Sequence, residues 1–187
     1  RVFVTAFTTA AIDNLVVRLR SLLAAVDALP PEVKAGVGLP TAHALVDLAD
    51  DVLELRSGDQ QRTVEQRLRR AGPRTIVAST AWQLHKWRSK LADTAGVADR
   101  LRFDLVVVDE ASQLSVPAAA VALQGAVATG GRIVLAGDPM QLQPIVKAAF
   151  PVTRAGVNND EGARLDASIL QSVLRHPTTG AALALDD

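Results

Sequence analysis

Phe103-Asp-Leu-Val-Val-Val-Asp-Glu-Ala-Ser-Gln113 contains a continuous run of apolar residues that stops at a polar turn. Residues 75–78 and 133–136 form two more apolar runs of this kind. Continuous runs, rather than alternating ones, are typical of strands that are covered on both faces of a parallel sheet. Helical patterns separate the runs, so the sequence predicts a doubly wound α/β fold whose ligand site lies at the carboxyl ends of the strands.

The other segments extend this pattern along the chain. Residues 2–5 predict a further strand, and apolar residues from Ile12 to Val26 then recur at helical spacing. Apolar residues between Leu45 and Leu55 predict a second amphipathic helix, the arginine-rich residues 60–71 predict a solvated helix, and residues 167–175 predict a short closing helix. We expect residues 30–72 to form a small helical insertion within one domain that spans residues 1–187.

The two carboxylates that end the first apolar run predict phosphate chemistry. Asp109 at a strand end can hold Mg²⁺ through its water shell, since Mg²⁺ favours oxygen ligands and keeps several waters. The adjacent Glu110 can accept a proton from the water that attacks a γ-phosphate. The alternative is a solvated acidic pair close to the start of the next helix, which begins near Ser115.

A second polar turn follows the apolar run at residues 133–136. Gly137 permits a tight bend, Pro139 fixes the backbone, and Asp138 and Gln141 are left at the carboxyl end of the strand. An uncharged amide at this place can hydrogen-bond a γ-phosphate oxygen. Gly-Asp-Pro is also a common turn that needs no ligand.

Composition limits the classes of protein to which the chain can belong. The chain has 187 residues, 49% of them hydrophobic, which suits one globular domain with a sizeable core. Its 20 basic and 20 acidic residues balance, so any contact with nucleic acid must be local. The absence of cysteine excludes a disulfide framework, a zinc ribbon and a thiol nucleophile. With no secretory pattern and no apolar run near ~20 residues, we expect an intracellular, cytoplasmic protein without membrane contact.

Residues 109–113 and 137–144 together resemble motifs II and III of superfamily 1 helicases. They are most similar to the 5′-to-3′ branch of DNA and RNA helicases that includes the nonsense-mediated-decay helicase. The resemblance implies a RecA-like P-loop NTPase sheet flanked by helices, with ATP and Mg²⁺ as cofactors. It implies that Glu110 is the catalytic base and Gln141 a γ-phosphate contact, with Gln113 coupling nucleotide state to nucleic acid. The implied catalytic or cofactor-binding positions are Asp109, Glu110, Gln113, Gly137, Asp138 and Gln141.

Residues 4–15 resemble motif Ia of the same helicases, and residues 76–82 resemble the next nucleic-acid motif. Hydroxyls and free amides at a helix start can bind backbone phosphates, although such threonines also cap helices without a ligand. The candidate contacts to single-stranded DNA or RNA are Thr5, Phe7, Thr8, Thr9, Asn14, Ser79 and Thr80. Trp82 can stack on a base or pack in the core, and the same alternatives hold for Phe7. We interpret the arginines of residues 62–74 as a solvated helix face and exclude them from the site.

No segment of the chain qualifies as a P-loop. That loop needs two glycines five residues apart followed by Lys and Ser or Thr, but Gly131 stands in the lysine position after Gly125 and Gly130. We therefore expect a truncated first RecA-like domain without the P-loop strand, which works with a second RecA-like domain of the same full-length chain. We expect the isolated chain neither to hydrolyse ATP at a useful rate nor to unwind a duplex.

Three functions are compatible with these motifs. The leading hypothesis is part of an ATP-dependent helicase or translocase motor. The second is a degenerate, non-hydrolysing RecA-like module that binds nucleic acid or protein, and the third is a different P-loop ATPase. Asp109, Glu110 and Gln141 argue against the second because a scaffold has no physical need for them. The helicase-like motifs Ia and III argue against the third.

Overall fold

A computed structural model describes residues 1–30, 32–33, 52–56, 58–72, 75–141, 144 and 167–174. In this part of the chain, five parallel strands form one sheet in the order β2-β3-β1-β4-β5. The strands are β1 (Val2–Thr5), β2 (Val52–Glu54), β3 (Ile76–Ala78), β4 (Phe103–Val108) and β5 (Val127–Leu135). The helices are α1 (Thr9–Asp27), α2 (Gln61–Arg70), α3 (Ala81–Lys90), α4 (Val116–Leu123) and α5 (Ile169–Leu174), with a 3₁₀ turn at Ala98–Leu101. None of these helices is long and apolar enough to cross a membrane. The predicted α/β fold is confirmed.

The centre of the sheet is built from β1 and β4. Phe3 of β1 pairs with Val106 of β4, and the ring of Phe3 stacks on that of Phe103 with the centroids 5.1 Å apart. Phe3, Phe103 and Val106 are completely buried. Covering such large apolar side chains supplies the main favourable term for folding.

The strand predicted at residues 133–136 differs from the expectation. We expected it to be covered on both faces, but Ile133 and Val134 of β5 are nearly half exposed. β5 lies at an edge of the described sheet, begins earlier at Val127 and has a register shift against β4 between Phe103 and Leu105. An apolar run alone does not distinguish a central strand from an edge strand, because the sequence does not show what covers it.

The prediction of a helix between residues 45 and 55 is wrong for its last residues. Residues 52–54 form β2, which pairs with β3 in the main sheet. The helix predicted at residues 60–71 is confirmed as α2, and its face with Val64 and Leu68 is fully buried in the same core as Phe3. β2 and α2 thus belong to the main sheet and core. Residues 31, 34–51 and 57 lie outside the described residues, so the helical insertion at residues 30–72 stays a prediction for them.

An arginine of α3 contacts the carboxyl end of α4. The Arg88 guanidinium of α3 donates hydrogen bonds to the carbonyls of Gln124 and Gly125, the latter at 2.7 Å. Gly125 has a φ of 66°, in the left-handed region that glycine adopts most readily. Burial, and then the nearby Arg102, lower the pKa of Arg88 from its ordinary value. The guanidinium therefore satisfies carbonyls that the end of α4 leaves without a helical partner.

Replacing Leu68 tests whether α2 belongs to the main core. We expect Leu68→Ala to lower the free energy of unfolding by about 2–5 kcal/mol, because it leaves a cavity in place of a fully buried leucine side chain. The same replacement at Leu22, which is 59% exposed, is the control and should change it by less than about 0.5 kcal/mol. Urea denaturation measures both. Equal effects of the two variants would contradict the packing described for α2.

Candidate active site and nucleic-acid cleft

Backbone hydrogen bonds hold the carboxyl ends of β1, β4 and β5 together. The Asp109 amide donates to the Thr5 carbonyl at 2.8 Å, and the Ala136 amide donates to the Val108 carbonyl at 2.8 Å. The Ala111 amide then donates back to the Ala136 carbonyl at 2.8 Å. The turn after β4 and the turn after β5 therefore lie side by side at one edge of the sheet.

Gly137 lies where these two turns come closest. A Cβ atom at this position would lie 3.0 Å from the Ala111 amide nitrogen and 3.1 Å from that of Ser112. Both neighbours are backbone atoms, which do not move aside as the end of a side chain does. Its φ is not positive, so glycine is needed here for the close approach of two backbones rather than for a left-handed bend.

Replacing Gly137 tests this close approach. We expect Gly137→Ala to push the two turns apart and to lower the free energy of unfolding by about 1–3 kcal/mol. The backbone amide resonances of Ala111 and Ser112 should shift in an ¹H–¹⁵N correlation spectrum. Gly58→Ala is the matched control, because a Cβ at Gly58 meets nothing within 4 Å. Unchanged Ala111 and Ser112 resonances in Gly137→Ala would refute the contact.

Asp109 and Glu110 occupy the turn directly after β4. The Asp109 Oδ1 atom accepts a hydrogen bond from the Glu110 amide at 3.0 Å. Glu110 has a φ of 52° and is the one residue other than glycine with a positive φ in the described part of the chain. Such backbone costs free energy in residues with a side chain and is concentrated at functional sites. The fold thus holds Glu110 in an unfavourable conformation at the position predicted for the base.

The carboxylate cleft is an opening of about 350 Å³ between the Asp109–Glu110 turn and one face of α1. Asn14 and Arg18, one helical turn apart on α1, line it together with the two acids. The cleft therefore brings a cation and an amide to the acidic pair. Arg18 was not among the predicted site residues, although its spacing from Asn14 could have suggested it.

Replacing Glu110 by glycine tests the backbone strain. Glycine removes the cost of about 1–2 kcal/mol that a left-handed backbone imposes, and it adds about 0.5–1 kcal/mol of chain entropy lost on folding. We expect Glu110→Gly to raise the free energy of unfolding by up to about 1 kcal/mol relative to Glu110→Gln. Glu110→Gln is the matched control, because it removes the charge and keeps the strain. Lower stability of the glycine variant in denaturant titrations would show that the turn is unstrained.

The turn after β5 carries Asp138 and Gln141. The Asp138 Oδ1 atom accepts from the Met140 amide at 2.8 Å, and the Gln141 amide donates to the Asp138 carbonyl at 3.1 Å. These bonds are those of a tight turn that an aspartate side chain stabilises. Gln141 is exposed, and the Gln113 amide donates to the Glu110 carbonyl at 2.9 Å in the neighbouring turn. The structure thus places Gln113 and Gln141 on adjacent turns at the same edge of the sheet as Asp109.

A second opening, here called the threonine cleft, has a volume of about 340 Å³. Thr9 at the start of α1 and Ser79 and Thr80 at the start of α3 line it. The hydroxyl of Thr8 caps α1 at 3.1 Å from the Ala11 amide, and that of Thr80 caps α3 at 3.4 Å from the Gln83 amide. The capping alternative is therefore realised for Thr8 and Thr80. Two helix starts nevertheless face one cleft, where their positive dipole ends favour an anion.

The other nucleic-acid candidates are not all in this cleft. Thr5 and Ser79 are only 1% and 2% exposed, so their side chains present almost no surface to a ligand. Asn14 lines the carboxylate cleft instead. Phe7 and Trp82 are about half exposed, which for both residues disfavours the core-packing alternative. Four further residues that line the threonine cleft were not among the predicted site residues: Asp13, Glu54, Arg56 and Asp59. Of these, Arg56 and Asp59 follow β2 in a segment that matched no motif.

Comparisons with known proteins give the family. A family model described as an AAA domain matches residues 43–149, more than half of the chain. The chain belongs to this AAA-domain family. The AAA domain is also 29% identical, over 147 residues, to the DNA replication ATP-dependent helicase/nuclease DNA2 of Saccharomyces cerevisiae (strain ATCC 204508 / S288c). The aligned part covers 79% of this chain and 8% of that relative. These matches confirm the predicted resemblance to a helicase fragment.

The matched region contains some of the candidate residues and not others. Both turns at residues 109–113 and 137–141 of this AAA domain lie inside the match, as do Ser79 and Thr80. Residues 5–14, with the motif Ia candidates, lie before it. The family match therefore includes the candidate phosphate chemistry and one side of the threonine cleft.

Proposed function

We propose that this AAA domain is part of an ATP-dependent helicase or translocase motor that acts on single-stranded DNA or RNA. The observation that supports this most is the meeting of two polar turns, one with Asp109 and Glu110 and one with Gln141, at neighbouring strand ends. Ligand sites of open parallel sheets lie at this edge. A second RecA-like domain would complete the motor.

The acidic pair fits a magnesium-bound nucleotide. In the described part of the chain no group of three or more acidic, histidine or cysteine side chains could hold a metal ion. A cation at Asp109 would therefore take its other ligands from water and phosphate oxygens, as Mg²⁺ does in nucleotide sites. Magnesium bound to ATP supplies charge neutralisation for phosphoryl transfer.

Each side chain at these turns then has a defined task in the proposal. Asp109 would hold Mg²⁺ through water, and Glu110 would accept the proton of the attacking water. The Gln141 amide donates a hydrogen bond to the terminal phosphate, and Gln113 links the nucleotide side to the nucleic-acid side. Gly137 keeps the two turns in contact, and Asp138 shapes the second turn.

The threonine cleft is proposed as part of the track for nucleic acid. Thr9 and the amides at the starts of α1 and α3 would bind backbone phosphates, which carry no base information. Thr8 and Thr80 hold these helix starts in place, and Phe7 and Trp82 have the exposure that base stacking needs. Thr5 and Ser79 would support the track from behind, because their side chains are buried. Asn14 is exposed and would act from the carboxylate cleft, which it lines.

Replacing the proposed base tests the motor. We expect Glu110→Gln in the intact protein to lower nucleic-acid-stimulated ATP hydrolysis at least about 100-fold, because the attacking water loses its proton acceptor. Binding of a fluorescent ATP analogue should change little, since the nucleotide keeps its phosphate contacts. Phosphate release and fluorescence titration measure the two quantities.

Glu65→Gln is the control for this experiment, because Glu65 lies on α2 in an ion pair with Arg69 and should leave hydrolysis unchanged. The isolated chain, which contains no P-loop sequence, should not hydrolyse ATP at a useful rate. An intact protein that binds nucleic acid without hydrolysing ATP would instead favour the non-hydrolysing module.

A further inference from the structure

The threonine cleft has an unfavourable charge for its proposed ligand. Three carboxylates line it, those of Asp13, Glu54 and Asp59. Arg56 is the single cation among the described lining residues. A nucleic-acid backbone is an anion, so these carboxylates oppose its entry while the starts of α1 and α3 favour it. Which of the two effects prevails depends on Arg56.

The Arg56 side chain is bound to the carboxylates of this cleft. Its Nη2 atom lies 2.7 Å from Asp13 Oδ1 and 2.6 Å from Glu54 Oε2, and its Nε atom lies 3.1 Å from the same Glu54 oxygen. The hydrogen bond to Glu54 and the charge of Asp13 raise the pKa of Arg56 above its ordinary value. Arg56 is therefore a permanent cation whose Nε and Nη2 donors already serve protein acceptors.

The two carboxylates that bind Arg56 differ in their exposure to solvent and in their other partners. Glu54 is only 15% exposed and also binds Arg20 at 3.2 Å, so it is a fixed part of the cleft wall. Asp13 is 45% exposed and Arg56 is 53% exposed. Exposed ion pairs contribute little to stability, because water competes for both partners. The contact with Asp13 is thus the one that an incoming anion can replace.

We propose that Arg56 determines the affinity of the threonine cleft for single-stranded nucleic acid. Its guanidinium breaks the contact with Asp13 and binds a backbone phosphate instead, while the contact with Glu54 keeps Arg56 at the cleft. A phosphate offers the planar guanidinium a strong, charge-assisted pair of acceptors. Asp13 is then an internal competitor of the phosphate. The inference rests on the proposed function, since it needs nucleic acid in this cleft.

Replacing Asp13 removes the competitor. We expect Asp13→Asn in the intact protein to tighten binding of oligodeoxythymidylate and oligouridylate about two- to fivefold, the range of an exposed ion pair. Arg56→Ala should weaken binding, and the double variant should lose the gain. Asp59→Asn is the matched control, because it removes the same charge from the same cleft. Asp59 Oδ2 accepts from the Arg56 amide at 2.8 Å, so this control leaves the guanidinium in place.

The salt dependence of binding shows whether Arg56 contacts a phosphate in the complex. Each contact to a single strand steepens the slope of log affinity against log salt by about 0.7. We expect a slope shallower by about that amount for Arg56→Ala, which loses a contact, and an unchanged slope for Asp13→Asn and Asp59→Asn, in which Arg56 still binds the phosphate. Fluorescence anisotropy at several salt concentrations measures all four variants.

Three results would overturn the proposal, and they differ in what they say of the function. If Asp13→Asn and Asp59→Asn tighten binding equally, with or without Arg56, the carboxylates act through charge alone and Arg56 binds no phosphate. If Thr9→Ala weakens binding while Arg56→Ala and Asp13→Asn have no effect, the track is correct and the role of Arg56 is wrong. If the intact protein binds neither oligonucleotide, the proposed function itself fails, and this inference fails with it.

Discussion

The position of every candidate catalytic group depends on the backbone hydrogen bonds at the ends of β1, β4 and β5. They connect Thr5 to Asp109, Val108 to Ala136, and Ala136 to Ala111. Each bond continues the ladder of the parallel sheet by one step beyond the strands, so the turns begin in register. Because buried amides and carbonyls must be paired, these turns have little freedom to move apart. Gly137 and the left-handed Glu110 are the two places where this close pairing constrains the sequence most.

Much of the fold could be predicted because its signals are local. The apolar runs that became β1, β3 and β4, the helical spacing in α1 and the arginine-rich composition of α2 were sufficient to predict an α/β sheet. β2 was mistaken for helix because a strand of three residues, Val52–Glu54, carries too few positions to establish a period of two. The exposure of β5 could not be predicted, since it depends on which other segments lie against Ile133 and Val134.

In the candidate site, too, some residues could be predicted from local sequence and others could not. Asp109, Glu110 and Gln141 could be chosen from sequence because acids and amides rarely end buried strands, and the topology then placed them at one edge. Arg56 and Asp13 are 43 residues apart, and nothing in their local sequence indicates that they meet. The burial of Thr5 and Ser79 could not be predicted from the sequence either, because small hydroxyl side chains occur at both exposed and covered strand ends. Sequence thus identified the groups that resemble a motif and missed those assembled by tertiary structure.

The place of β1 in the middle of the sheet also affects how the chain can fold. Its two hydrogen-bonded neighbours are Ile76–Ala78 and Phe103–Val108, both distant in sequence. Pairings of this kind require closure of long loops, which raises contact order and slows folding. During synthesis, Phe3 and Val4 leave the ribosome long before either neighbouring strand exists. Until then these apolar side chains lack both of the strands with which they pair, so β1 is a segment that a chaperone has reason to shield.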